Sequence, residues 1–78
     1  MQETCEHPAL LSLRRALNVS RLDLTRVADI SLGTVRNCEK GFVITEQSAL
    51  QILQAVNHWL KVRGKEETTL EALDIKWR

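Results

Sequence analysis

Cysteine, proline, glycine and aromatic residues are all scarce in this chain: two Cys, one Pro, three Gly, one Phe, two Trp and no Tyr in 78 residues. Each shortage excludes something. Cys5 and Cys38 are too far apart for a disulfide framework and form no C-x-x-C pair, so two free thiols in a reducing compartment are expected. So little Gly and Pro argues against a turn-rich β domain and for an all-α one. No apolar run approaches the roughly 20 residues of a membrane span. The opening "MQETCEHP" lacks the basic and apolar regions of a signal peptide. Together these absences predict a cytoplasmic protein. His7 and His58 stand without suitably spaced Cys, His or carboxylate partners, and neither a Gly-rich phosphate loop nor a Ser/His or Cys/His pairing is visible. No metal, cofactor or enzymatic activity is expected.

Hydrophobic residues make up 44% of the chain, which argues against disorder and for one domain near the lower size limit of an unstapled core. The formal net charge of +1 hides a division. Residues 8–65 carry nine Lys/Arg against Asp23, Asp29, Glu39 and Glu46, while residues 1–7 and 66–78 are each net acidic. A basic body suits a polyanionic partner.

Punctuation and apolar spacing predict a succession of short helices. Pro8 opens the first, Leu10, Leu13 and Leu17 face inward, and Asn18 ends it. Ser20 and Asp23 form a capping box for a second helix ending near Ala28, with Leu24, Val27 and Ala28 as its buried stripe. Ser31 caps a third, with Thr34, Val35 and Cys38 inward and Gly41 in the left-handed position after its end. "FVIT" (42–45) reads as a loop tucking Phe42 and Ile44 into the core. Thr45 caps the longest helix, whose apolar residues cover more than one face, and Asn57 is a candidate break within it. "RGKEE" (63–67) is a linker. Thr68 to Glu71 then starts a short last helix with Leu70, Leu73 and Ile75 apolar. Trp77 either folds back on the body or meets a partner.

The second and third helices are separated by only two or three residues, so they must cross steeply, as in a helix-turn-helix. The residues of that segment carry a resemblance. "VSRLDLTRVADISLGTVRNCEKG" (19–41) resembles the phage-repressor-like helix-turn-helix family, the Cro or xenobiotic-response-element (XRE) type. Its pattern runs roughly L-S-Q-x-x-L-A-x-x-A-G-V-S-x-x-T-I-S-x-x-E-x-G. Ser20, Leu24, Ala28, Ile30, Ser31, Thr34, Val35, Glu39 and Gly41 match in register, and the likeness extends over about residues 9–60. Three positions depart from the pattern: Asp29 replaces the turn glycine, Arg21 the glutamine, and Gly33 empties a position that usually reads a base.

The resemblance implies a lambda-repressor-like five-helix DNA-binding domain over residues 8–65, with the helix-turn-helix at about 20–40 and a tail of 66–78 carrying a short helix. It places base-reading positions on Leu32, Gly33, Arg36 and Asn37. Asn37 is the best reader, through adenine, and Arg36 reaches either guanine or phosphate. Arg15, Arg21 and Lys40 are the expected phosphate contacts. Arg14 and Glu39 form an implied scaffold ion pair between the first and third helices. Trp59, Leu60, Leu70, Leu73 and Trp77 are candidates for a dimer or partner surface, although Trp59 suits the core equally and the tail could fold over the fourth helix. The expected function is a dimeric, sequence-specific DNA-binding transcriptional regulator, by default a repressor on a palindromic operator. The alternative from another class is a protein-interaction module, such as an antitoxin or adaptor, with a protein partner.

Overall fold

Short capped segments fold here into four helices, in a computed structural model that describes residues 9–78: α1 (Ala9–Leu17), α2 (Arg21–Val27), α3 (Leu32–Glu39) and α4 (Glu46–Val62). The chain is all-α, and the described residues contain no strand, only one isolated parallel bridge between Ile44 and Trp77. Pro8, Cys5, His7 and the acidic residues Glu3 and Glu6 lie outside the described residues. Among the described residues, no helix is long and apolar enough to cross a membrane.

The helix starts follow the expected side-chain chemistry. The Ser20 hydroxyl accepts from the Asp23 N–H at 3.1 Å, and the Asp23 carboxylate accepts from the Ser20 N–H at 3.0 Å. Hydrogen bonding to the carboxylate, first from the Ser20 backbone N–H and then from the Ser20 hydroxyl, holds the Asp23 carboxyl below its ordinary range. Ser31 caps α3 through the Thr34 N–H, and Thr45 caps α4 through the Ser48 N–H. Each cap satisfies a donor that the first turn leaves unpaired.

Three helices end by one shared device, a left-handed residue followed by an N–H that reaches back five positions. Asn18 (φ 58°) is followed by Val19 N–H to Arg14 C=O, and Gly41 (φ 87°) by Phe42 N–H to Asn37 C=O. Gly64 (φ 73°) is followed by Lys65 N–H to Leu60 C=O. This is the hydrogen-bond pattern that closes helix C-termini. α2 ends differently, in an extended Ala28 and a tight Ile30 N–H to Ala28 C=O turn of 2.9 Å. Asp29, standing where the family pattern has glycine, does not take a positive φ.

The core gathers residues from every helix: Leu10 and Leu17 of α1, Leu24 of α2, Val35 and Cys38 of α3, and Ala49, Ile52, Val56 and Leu60 of α4. α2 packs against both α3 and α4, and α1 against α3 and α4. Val27, expected inside, stands at the surface, while Ala28 is half-buried against the core.

Four expectations are corrected. α4 is unbroken at Asn57, whose amide instead clasps the linker: Oδ1 accepts from the Thr68 N–H at 2.7 Å and Nδ2 donates to the Thr68 C=O at 3.3 Å. The fifth helix does not form. Thr69 Oγ1 caps a single turn through the Ala72 N–H, and Asp74 (φ 56°) closes it at once, with Ile75 N–H reaching Leu70 C=O. Beyond it the apolar spacing changes from three to two at Leu73, Ile75 and Trp77, an extended rather than helical period. Residues 42–45 are more than a loop, because Ile44 bonds the Lys76 C=O and the Arg78 N–H. Phe42 stays largely exposed while Ile44 packs on the core. Leu60 and Leu73, offered as partner-surface residues, are buried in the core and present no surface; Leu73 enters from the tail, so the tail folds onto its own chain.

Leu73 is 1% exposed, so Leu73→Ala is expected to cost about 2–5 kcal/mol, the range for emptying a buried leucine site. Urea unfolding checks this, and a loss under about 1 kcal/mol would show that the tail is not part of the cooperative core.

Candidate functional site

α3 divides its residues sharply between two sides. Val35, Cys38 and Glu39 are buried, whereas Leu32, Gly33, Arg36 and Asn37 are exposed. The Ser31 cap fixes the start of this helix, and Gly41 turns the chain away after its end. The four positions expected to read bases therefore share one solvent-facing side, and Leu32 keeps 41% of its surface in water. Thr34, expected inward, is half-buried and bonds Ser31 Oγ at 2.8 Å.

Gly33 is not imposed by the chain's own packing. Its φ is not left-handed, and an added Cβ would meet only Ser31 Oγ at 3.9 Å, an ordinary contact. Alanine there would fit and would favour the helix. No contact within the described residues requires a bare backbone at this exposed position.

Beneath this surface lies the expected ion pair, with an additional member. Glu39 is the buried charged residue of the core, its side chain 1% exposed. Arg14 donates from Nε to Oε2 at 2.5 Å and from Nη2 to Oε1 at 3.3 Å. Its Nη1 also donates to the Val19 C=O at 3.1 Å, fixing the turn between α1 and α2. Arg21 donates from Nε to Oε1 at 2.7 Å. The resemblance places Arg21 among the phosphate contacts; the structure adds a tie from its Nε to Glu39, with 36% of the side chain still exposed. A side chain long enough to reach several partners gives no sequence signal for which one it takes. Both carboxylate oxygens are thus satisfied, as a buried anion requires.

Arg15 and Lys40 are exposed, and neither has a hydrogen-bond or ion-pair partner for its side chain among the described residues. Beside the network, Arg14, Arg15, Asn18, Val19, Ser20 and Asp23 line an open hollow of about 340 Å³. The described residues hold no cluster of His, Cys, Asp and Glu able to bind a metal.

The proposed partner surface fares less well. Trp59 is half-buried against the core, with Arg63 over its ring at 5.9 Å and His58 edge-on at 5.5 Å. Arg63 also donates to the Leu17 C=O at 3.0 Å, joining the ends of α4 and α1, a contact the sequence reading missed. Leu70 is half-buried, and Trp77 remains 43% exposed. Phe42 and Val43, next to the Ile44–Trp77 bridge, are more than half exposed.

Two outcomes are expected from this geometry. Arg14→Met removes the better-buried partner and is expected to cost about 3 kcal/mol, toward the low end for a broken buried pair because Arg21 remains. Arg21→Met should cost about 1 kcal/mol, since that cation is over a third exposed. The double variant leaves Glu39 without either partner, so its loss should exceed the sum by at least about 1 kcal/mol. A denaturation double-mutant cycle measures this, and strict additivity would show that the two arginines do not share the anion. Separately, burial and then the neighbouring Glu39 push the Cys38 thiol up to about 12. Native protein at about pH 8 should leave Cys38 unalkylated by iodoacetamide while denatured protein reacts, because the thiolate is the nucleophile. Equal rates in the two states would contradict the buried placement.

Compared with models of protein families, with curated proteins and with solved structures, the chain finds no match in any of the three.

Proposed function

We propose that this protein is a sequence-specific DNA-binding transcriptional regulator, by default a repressor, using α2 and α3 as a helix-turn-helix in a lambda-repressor-like domain. The observation that carries the reading is the outer side of α3, where Leu32, Gly33, Arg36 and Asn37 are all exposed on a helix whose other side is buried through Val35, Cys38 and Glu39. A major groove admits one α-helix. Asn37 bonds adenine, Leu32 meets a thymine methyl, Arg36 reaches guanine or phosphate, and Gly33 lets the backbone approach closely. Arg15 and Lys40 grip phosphates. A single module of this size gives limited specificity, so a C₂ homodimer is expected, with recognition helices about 34 Å apart on a palindromic operator.

A second reading, a protein-interaction module such as an antitoxin or adaptor, is favoured by the exposed Phe42, Val43 and Trp77 around the bridge. The two readings overlap where an interaction module also binds its own operator.

The test is binding of the purified protein to its own upstream duplex against a scrambled duplex, at several salt concentrations. Wild type should prefer the upstream duplex, and Asn37→Ala should lose about 1–3 kcal/mol of that discrimination. Gly33→Ala should raise stability by up to about 1 kcal/mol yet weaken DNA binding, opposite signs that separate folding from contact. Equal, weak binding of wild type to both duplexes would reject sequence readout and leave the interaction module.

A further inference from the structure

We infer that Glu39 is a positioning residue for Arg21, holding its guanidinium so that the two terminal nitrogens meet a DNA phosphate. This rests on the DNA-binding reading and deepens it, by making one buried carboxylate serve both the scaffold and the grip on the nucleic-acid backbone. A guanidinium is a planar fork with five N–H donors. Glu39 occupies the Nε donor of Arg21 at 2.7 Å, and Nη1 and Nη2 have no partner among the described residues. The side chain is neither buried nor free: 36% is exposed while its Nε end is anchored on a carboxylate that is 1% exposed. Arg14 differs, because Nε, Nη1 and Nη2 all have partners and 14% of the side chain is exposed. Of the two arginines on Glu39, only Arg21 keeps both terminal nitrogens without a partner among the described residues.

The surroundings suit a phosphodiester. Arg21 lies on the first turn of α2, and Glu39 belongs to the last turn of the helix that carries Arg36 and Asn37. Lys40 follows Glu39 in sequence, and Arg15 follows Arg14; both are exposed cations. Asp23, the acid on α2, accepts from the Ser20 N–H, and no ion pair joins it to Arg21 among the described residues. Because Glu39 also binds Arg14, the placement of Arg21 is referred to the same anchor that seats α3 on α1. The backbone grip and the recognition helix are therefore fixed relative to one another before DNA arrives, as pre-organised binding requires.

The test is the salt dependence of binding to the upstream duplex for wild type, Arg21→Ala, Arg21→Lys and Glu39→Gln, with folding of each confirmed by circular dichroism. Arg21→Ala should reduce the slope of log K against log salt by about one, the signature of one lost phosphate contact. Arg21→Lys keeps the charge but lacks the fork, so binding should weaken about fivefold rather than match wild type. Glu39→Gln removes a negative charge beside the duplex; charge alone predicts tighter binding, whereas positioning predicts weaker binding. If that variant does not fold, the two Arg21 variants decide. An unchanged slope in Arg21→Ala, full affinity in Arg21→Lys, or tighter binding by folded Glu39→Gln would each overturn the inference while leaving DNA binding intact. Absence of duplex binding by wild type would overturn both.

Discussion

One buried carboxylate organises this small fold. Glu39 sits near the end of α3 and collects donors from α1 and α2, so three helices meet at a single anion. An apolar contact at that point would be indifferent to small displacements. A desolvated carboxylate is not, because losing a donor leaves charge in a low-dielectric interior. The aliphatic core supplies the general attraction between helices, and Glu39 specifies their arrangement. That division of labour suits a chain whose core is limited by its length.

The same anion accounts for the character of α3. Val35, Cys38 and Glu39 commit one side of an eight-residue helix to the interior, and the opposite side carries residues the fold does not need. Gly33 is the plainest case, a weak helix former with room for a side chain, where alanine would serve the fold better. Residues that agree with every local rule explain structure, and those that break one without internal compensation point outward.

Local chemistry was the most legible part of the sequence. Ser20 with Asp23, Ser31, Thr45, Asn18 and Gly41 mark helix boundaries because each acts on backbone groups within a few residues. The Arg14–Glu39 pair spans 25 residues and was reached only through the family pattern, since nothing local to either residue names the other. The tie from Arg21 to Glu39 is not legible in the sequence, because the length of the arginine side chain conceals its partner. Leu60 and Leu73 were misplaced for a different reason: an apolar stripe announces burial but not whether the covering surface belongs to the same chain. The absent fifth helix has a trace in the sequence, the alternation of Leu73, Ile75 and Trp77, an extended period that the capping signal at Thr69 conceals. The exposed positions of α3 lie where expected, but exposure follows from the helical period whatever the partner.

The helix lengths themselves carry a consequence. α1, α2 and α3 have nine, seven and eight residues, below the roughly 12–15 at which an isolated helix becomes even marginal in water. None of them is a structure that survives loss of the core, so the outer side of α3 exists only in molecules that are folded throughout. Whatever binds there binds the native state alone, and by mass action it adds to the free energy of unfolding as its concentration rises above its dissociation constant. Recognition and folding in this chain are thus a single linked equilibrium.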